Sequence, residues 1–183
     1  MSQIYKKELT VDLTHAILLS MTRTHSNHRA GHLVILDIEN LAGTANPTPS
    51  DLDEVRAQLA EVIEDYEELR CIVACSHRAA PVIMFAFPRA LRRLRSGPNG
   101  ADLALLAEMG EHRVMDRYEK VTLCSGDGIF TDEVARLGRA GVEVTVVAKE
   151  GTLASRLRLA ATHVVTLVSP TKLEPALAMK EAS

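Results

Sequence analysis

Three aspartates that lie far apart in the chain are the residues best placed to do chemistry. Asp37 ends a continuous apolar run at 32–36, and Asp127 follows the Ser-Gly turn at the end of a second apolar run. Asp102 comes directly after a glycine-rich loop at 97–100. If the two runs are neighbouring strands, their axes are only ~4.8 Å apart. Carboxylates that close repel one another unless a cation lies between them, so the pattern predicts a cation site.

The donor atoms in this pattern are oxygens. Asn40 follows Asp37 by three residues and supplies an amide oxygen without adding charge. Such a set, with few histidines or cysteines nearby, favours Mg²⁺ or Mn²⁺ over zinc. These ions orient a water nucleophile and neutralise a scissile phosphodiester, which indicates phosphoryl transfer to water. Four arginines upstream of Asp102 could bind flanking phosphates: Arg89, Arg92, Arg93 and Arg95.

Apolar runs that alternate with helical patterns must position these residues. Strands are predicted at 32–37, 71–75, 121–125, 142–147 and 163–167, with a short edge strand at 91–95. Helices are predicted at 51–66, 101–111, 131–140 and 152–160, with another between Pro81 and Pro88. Ser50 is the expected cap of the first helix, with Asp53 in its capping box. This alternation predicts right-handed βαβ units in a Rossmann-like three-layer α/β/α sandwich around a mainly parallel sheet.

Composition limits the class of protein. A chain of 183 residues, 46% of them hydrophobic, suits one domain at 30–169, with an N-terminal extension at 1–29 and a C-terminal tail at 170–183. A net charge of −3 and 3% aromatic residues argue against nucleic-acid binding by bulk charge or aromatic stacking. We expect a cytoplasmic protein without a membrane span, since the cysteines lie in apolar runs and no apolar stretch reaches 18 residues. A homo-oligomer is among the states that the sequence leaves open.

Three motifs carry a resemblance to a known family. They are LDIENL at 36–41, GADLAL at 100–105 and SGDGIF at 125–130. In this order they resemble the signature motifs of the NYN domain family, a branch of the PIN-like nucleases. The likeness covers roughly residues 31–168.

The resemblance implies a metal-dependent ribonuclease with a PIN-like fold. It places Asp37, Asp102 and Asp127 at a Mg²⁺ or Mn²⁺ site and adds Asn40 and Ser125 to the catalytic group. RNA is the substrate that it implies. Many family members carry a further aspartate two residues after the one in Ser-Gly-Asp, where this chain has Ile129. Asp132 is the residue that could take its place as a metal ligand.

Other functions remain open at this point. Ile129 would also suit a catalytically weak or inactive RNA-binding or regulatory module. Asp127, Gly128 and Asp132 echo a motif of haloacid-dehalogenase-like phosphatases, but that chemistry needs a second aspartate where this chain has Glu39. A dinucleotide-binding dehydrogenase is disfavoured, because no Gly-x-Gly-x-x-Gly follows the first strand.

Overall fold

Six parallel strands form the central sheet. The computed structural model describes residues 31–110 and 112–168, and the sheet has the order β3-β2-β1-β4-β5-β6. The strands are β1 (His32–Asp37), β2 (Arg70–Cys75), β3 (Leu91–Leu94), β4 (Lys120–Cys124), β5 (Glu143–Lys149) and β6 (His163–Leu167). All six predicted strands are therefore confirmed. The three central strands β2, β1 and β4 are mostly buried apolar runs, because a parallel sheet with both faces covered buries successive side chains on either side.

Seven helices of the described residues cover the sheet in two layers. Those packed on one face are α1 (Ile38–Ala42), α2 (Pro49–Val62) and α3 (Ala80–Ala86). Those packed on the other are α4 (Gly100–Gly110), α5 (His112–Arg117), α6 (Thr131–Arg139) and α7 (Ser155–Ala160). The predicted three-layer α/β/α sandwich is confirmed. The layers follow from right-handed crossovers, because the chain moves one way across the sheet from β1 to β3 and the other way from β4 to β6.

Each face of the sheet has its own apolar core. On the first face, Leu52 and Leu59 of α2 pack with Val34 of β1. On the second, Leu105 of α4 packs with Ile35 of β1. Alternate residues of β1 thus enter opposite cores, and residues 33–36 are fully buried. This packing on both faces fixes the carboxyl end of β1, where Asp37 lies.

The start of α2 differs from the prediction. Thr48, not Ser50, caps the helix, and Asp51, not Asp53, completes the capping box. Asp51 accepts a hydrogen bond from the Thr48 backbone N–H at 2.8 Å, and Thr48 Oγ1 accepts one from the Asp51 N–H at 3.3 Å. Pro49 fits the first turn because that position has no helical partner for an N–H. The helix ends at Val62, four residues earlier than predicted.

Other boundaries were also wrong or missed. The sequence did not predict α1 or α5, and α7 begins at Ser155 rather than at residue 152. The helix predicted at 101–111 is present as α4 with its end at Gly110. The proposed extension at 1–29 and tail at 170–183 lie outside the described residues, and the domain boundaries stay predictions.

The three cysteines lie in the strands where the sequence analysis placed them. Cys71, Cys75 and Cys124 are free and lie in or against the core on the α1–α3 side. Within the described residues, none of the helices has the length and apolar character needed to cross a membrane.

Candidate metal and nucleic-acid site

The candidate site lies where the strand order reverses. The chain moves outward from β1 to β2 and β3, then returns to place β4 on the other side of β1. Asp37 ends β1, and Ser125 directly follows β4, whose Cys124 is in register with Leu36. Ligands of open parallel sheets bind beyond the carboxyl ends of the strands at such a point. The two motifs are neighbours because β1 and β4 are neighbours.

Asp37 is a buried carboxylate held on both oxygens. Its side chain is 2% exposed. Ser125 Oγ donates a hydrogen bond to Asp37 Oδ2 at 2.8 Å, and the Asn40 backbone N–H donates one to Oδ1 at 3.2 Å. Ser125 is itself fully buried and accepts from the Asp127 N–H at 3.1 Å. The serine therefore joins the ends of β1 and β4 at one carboxylate.

Asp102 reaches the same site from the opposite side of the sheet. It lies in the first turn of α4, which packs against β1, β2 and β3. Its carboxylate lies close enough to Asp37 that its charge raises the pKa of Asp37. Gly100 permits this approach, because a Cβ there would lie 2.4 Å from the carbonyl oxygen of Arg95. The glycine-rich loop thus lets the helix start close against β3.

The three predicted aspartates are electrostatically coupled. The pKa of Asp37 is raised to about 6, chiefly by burial and also by the charges of Asp102 and Asp127, against the hydrogen bonds from Ser125 and Asn40. Burial also raises the pKa of Asp102, as do the charges of Asp127 and Glu39. Among the described residues, no lysine or arginine forms an ion pair with Asp37, Asp102 or Asp127. The structure thus brings together the acids of all three motifs without a basic side chain to offset them.

Asn40 fastens the loop that carries Asp127. Its Oδ1 accepts a hydrogen bond from the Gly126 backbone N–H at 3.0 Å. Gly126 is packed so closely that a Cβ would lie 2.6 Å from the carbonyl oxygen of Thr152. The Gly126 carbonyl in turn accepts from the Ala154 N–H at 2.9 Å. The loop is therefore held from α1 on one side and from the segment after β5 on the other.

Glu39 is a further acid near the site that the sequence analysis did not assign to it. Its charge raises the pKa of Asp102. Its Oε1 accepts a hydrogen bond from the backbone N–H of Ser76, just beyond β2, at 3.3 Å. Glu39 lies in α1, which begins at Ile38 directly after β1. The carboxylate group therefore has four members.

The chemistry of this donor set fits a hard cation. Its atoms are carboxylate, amide and hydroxyl oxygens, and the nearby thiols of Cys75 and Cys124 are kept protonated because burial raises the pKa of both. Nevertheless, no three His, Cys, Asp or Glu side chains of residues 31–110 and 112–168 are already arranged as a metal-binding group. The position of Asp127 is one reason that no such group is formed. Its side chain is exposed, and its Oδ1 accepts a hydrogen bond from the Ile129 N–H and so caps the turn at Gly128–Phe130.

The four predicted phosphate-binding arginines do not share one environment. Arg89 Nη1 lies 3.9 Å from Glu68 Oε1. Arg92 donates hydrogen bonds to the carbonyl oxygens of Phe87 and Pro88. Arg93 forms an ion pair with Glu108. Arg95 directly follows β3 at the carboxyl edge. Its side chain is exposed and has no partner among the described residues.

A second exposed arginine at this edge was not predicted. Arg78 follows β2 by three residues and likewise has no described partner. It adjoins His77, whose Nδ1 lies 2.9 Å from Ser96 Oγ, beside Arg95. The loops after β2 and β3 are thereby joined. The only sequence signal for Arg78 is its place just after a strand.

Asp132 stands apart from the carboxylate group. It is exposed in the first turn of α6 and is not among the charges that raise the pKa of Asp37 or Asp102. Ile129, at the position where a further acid is common, is half-buried against the core on the α4–α7 side. The assignment of Asp132 to the metal stays a prediction.

The fold is that of the PIN-like α/β proteins. The NYN domain family model matches residues 32–168, and the chain belongs to this family, as the three motifs predicted. A crystal structure of a protein of unknown function from Vibrio parahaemolyticus is similar, with a TM-score of 0.55 and 16% identity. The match covers 79% of this chain and 97% of that one, and it shows the shared fold. None of the curated proteins matches the chain.

Proposed function

We propose that this protein is a metal-dependent ribonuclease that hydrolyses RNA phosphodiester bonds. Asp37, Asp102 and Asp127 would hold Mg²⁺ or Mn²⁺. The observation that carries the proposal is the convergence of three carboxylates at the switch point of the sheet, with raised pKa values at Asp37 and Asp102 and no basic partner among the described residues. A divalent cation is the species that would offset this repulsion.

The bound cation would neutralise charge on the scissile phosphate and orient a water nucleophile. The chain's own residues fix where this can happen. Ser125 and the Asn40 backbone hold the Asp37 carboxylate through the hydrogen bonds at 2.8 and 3.2 Å. The Asn40 side chain holds the loop that precedes Asp127. Both are positioning residues in this proposal, because they act through other groups.

RNA is the proposed substrate, on the family membership and on the charges at the rim. Arg78 and Arg95 are exposed after β2 and β3, at the edge of the sheet that also carries Asp37. Their guanidinium groups would bind phosphates on the β2–β3 side of the acidic group. Arg89, Arg92 and Arg93, which also belong to the predicted set, would contribute less because intramolecular partners occupy them.

A second candidate is an RNA-binding module that does not turn over its ligand. Ile129 favours it, because an acid at that position would add a ligand that this chain lacks. The exposed Asp127 side chain also favours it, since that side chain caps a turn rather than completing a preformed metal group. This candidate predicts RNA binding by the full chain without cleavage in either Mg²⁺ or Mn²⁺.

Cleavage of labelled RNA by the full chain distinguishes the two candidates. We expect cleavage in Mn²⁺ or Mg²⁺ that stops in excess EDTA and falls to the EDTA level in Asp102→Asn and Asp127→Asn. Asp53→Asn is the matched control, because it removes an exposed acid on α2 and should leave the rate unchanged. Cleavage at the wild-type rate by both site variants, or in EDTA, would overturn the ribonuclease proposal. Binding without cleavage under every condition would select the second candidate.

A further inference from the structure

We propose that a pocket beside the end of α3 binds one nucleobase of an RNA strand. The pocket has a volume of about 490 Å³, within the range of ~300–1,000 Å³ that is usual for small-ligand sites. Its walls come from α2, the turn at Tyr66–Glu68 and the segment that joins α3 to β3. The choice of RNA as the source of the base rests on the proposed function. A free nucleotide carries the same ring, and binding measurements separate the two sources.

Half of the aromatic side chains of the protein line this pocket. The sequence contains three phenylalanines, three tyrosines and no tryptophan, and Tyr66, Phe85 and Phe87 all lie at the pocket. Tyr66 and Phe87 are buried in the core on the α1–α3 side, so the structure holds their rings in place. A low aromatic content argues against an extended stacking platform, but this grouping supplies the material for a single base-binding site.

Phe85 is the aromatic residue of this pocket that the core does not use. It occupies the sixth position of the seven-residue helix α3, and its side chain is 81% exposed. The neighbouring Met84 is also exposed, at 48%, but it does not line the pocket. An exposed aromatic ring beside a cavity is suited to stacking on a base, and such stacking tolerates any sequence because every base has a π face.

The charged side chains around the pocket favour an uncharged ring over a phosphate. Arg56 Nη2 lies 3.1 Å from Glu67 Oε1, and Arg89 Nη1 lies 3.9 Å from Glu68 Oε1. These two ion pairs carry no net charge, so they give the pocket no excess positive charge with which to bind a phosphate. They do place hydrogen-bond donors and acceptors side by side, which is the combination that the edge of a base requires.

The pocket lies within reach of a strand that crosses the carboxylate site. Cys71, near the amino end of β2, lines the pocket, and Cys75 ends β2 at the carboxyl edge of the sheet. The chain rises by ~13 Å between these two residues. A stacked single strand advances by ~3.4 Å per nucleotide, so the bound base would lie about four nucleotides from the scissile phosphate. Arg78, which precedes α3 at the same edge, lies on this route.

Fluorescence anisotropy of labelled single-stranded RNA binding to the full chain in EDTA tests the proposal, with one base removed at each position in turn. We expect one abasic position to weaken binding by at least about fivefold, since stacking on an aromatic ring contributes this much per base. Phe85→Ala should weaken binding of the intact RNA by a similar factor and make that position indifferent, because the ring and the base act as a pair. Phe85→Tyr should retain both effects. Met84→Ala is the matched control and should bind as the wild type does.

The proposal is overturned if no abasic position weakens binding to the wild type, or if the loss is the same in Phe85→Ala. Calorimetry with the four nucleoside 5′-monophosphates separates the two sources of the base. Nucleotide binding that Phe85→Ala abolishes, together with RNA binding that ignores Phe85, would assign the pocket to a free nucleotide instead of RNA. RNA cleavage with binding indifferent to Phe85 would refute the pocket alone. A chain that neither binds nor cleaves RNA would refute the proposed function and the RNA assignment together.

Discussion

Replacing Asp37 by asparagine should stabilise the metal-free protein at neutral pH. The pKa of Asp37 rises from 3.8 to about 6 on folding, chiefly through burial. The folded state therefore binds the proton more tightly than the unfolded state, so stability is lost as the pH rises from about 4 to 6. A shift of roughly 2 pKa units corresponds to about 3 kcal/mol. Asparagine avoids this loss because it carries no charge, and it can keep both contacts if its Oδ1 accepts from the Asn40 N–H and its Nδ2 donates to Ser125 Oγ.

Urea unfolding in EDTA at several pH values measures this effect. The variant should match the wild type near pH 4 and exceed it by up to about 3 kcal/mol at pH 7, with the difference opening between those values. Asp53→Asn, which removes an exposed acid on α2, controls for the loss of one negative charge. A variant that is less stable than the wild type at pH 7, or a difference independent of pH, would refute the electrostatic interpretation of the site.

Adding the cation should reverse the order of stabilities. Mn²⁺ at 100 times its dissociation constant stabilises a folded protein by about 2.7 kcal/mol. We expect the wild type to gain this stability and Asp37→Asn to gain much less, because one proposed ligand has lost its charge. Equal gains in the two proteins would place the cation elsewhere. The thermal unfolding midpoint, measured with and without excess EDTA, is the readout.

Three further substitutions test the close packing at Gly100, the helix cap at Thr48 and the proposed phosphate contact at Arg95. Gly100→Ala should lower both stability and RNA cleavage, because its Cβ would lie 2.4 Å from the Arg95 carbonyl oxygen. Gly138→Ala, whose Cβ would lie in open space on α6, is the control and should raise stability by roughly 0.5–1 kcal/mol in thermal unfolding. Thr48→Ala should cost about 1 kcal/mol in urea unfolding through loss of the capping box and leave cleavage unchanged, and an unchanged midpoint would contradict the assigned cap. Arg95→Gln should reduce the salt dependence of RNA binding by about 0.7 in the logarithmic slope, while Arg89→Gln should not; equal slopes for both variants would contradict the placement of RNA at the rim.

Some local features could be predicted and others could not, and α2 shows why. Thr48 and Ser50 each precede an aspartate by three residues, so both satisfy the capping-box pattern. Pro49 decides between them, since proline suits the first turn of the helix that Thr48 caps. The strands were easier to predict because burial on both faces requires a continuous apolar run, which is a stronger signal than a cap.

The candidate site shows the same division. The three aspartates could be found because each ends a strand or opens a helix within a recognisable motif. The roles of the arginines could not, because Glu68 and Glu108, which engage Arg89 and Arg93, are brought near only by tertiary packing. Glu39 was not assigned to the site because it lies in α1, a helix that the sequence analysis did not predict.

The energetics of Asp37 argue that the site is retained for function rather than for the fold. A neutral asparagine could keep both contacts of Asp37, by accepting from the Asn40 N–H at Oδ1 and donating from Nδ2 to Ser125 Oγ. These contacts therefore do not require the negative charge, and burial together with Asp102 and Asp127 makes that charge unfavourable. Proteins tolerate such a cost where a ligand offsets it. A divalent cation offsets a carboxylate charge directly, and the same cation would allow an acidic rim to bind a polyanion.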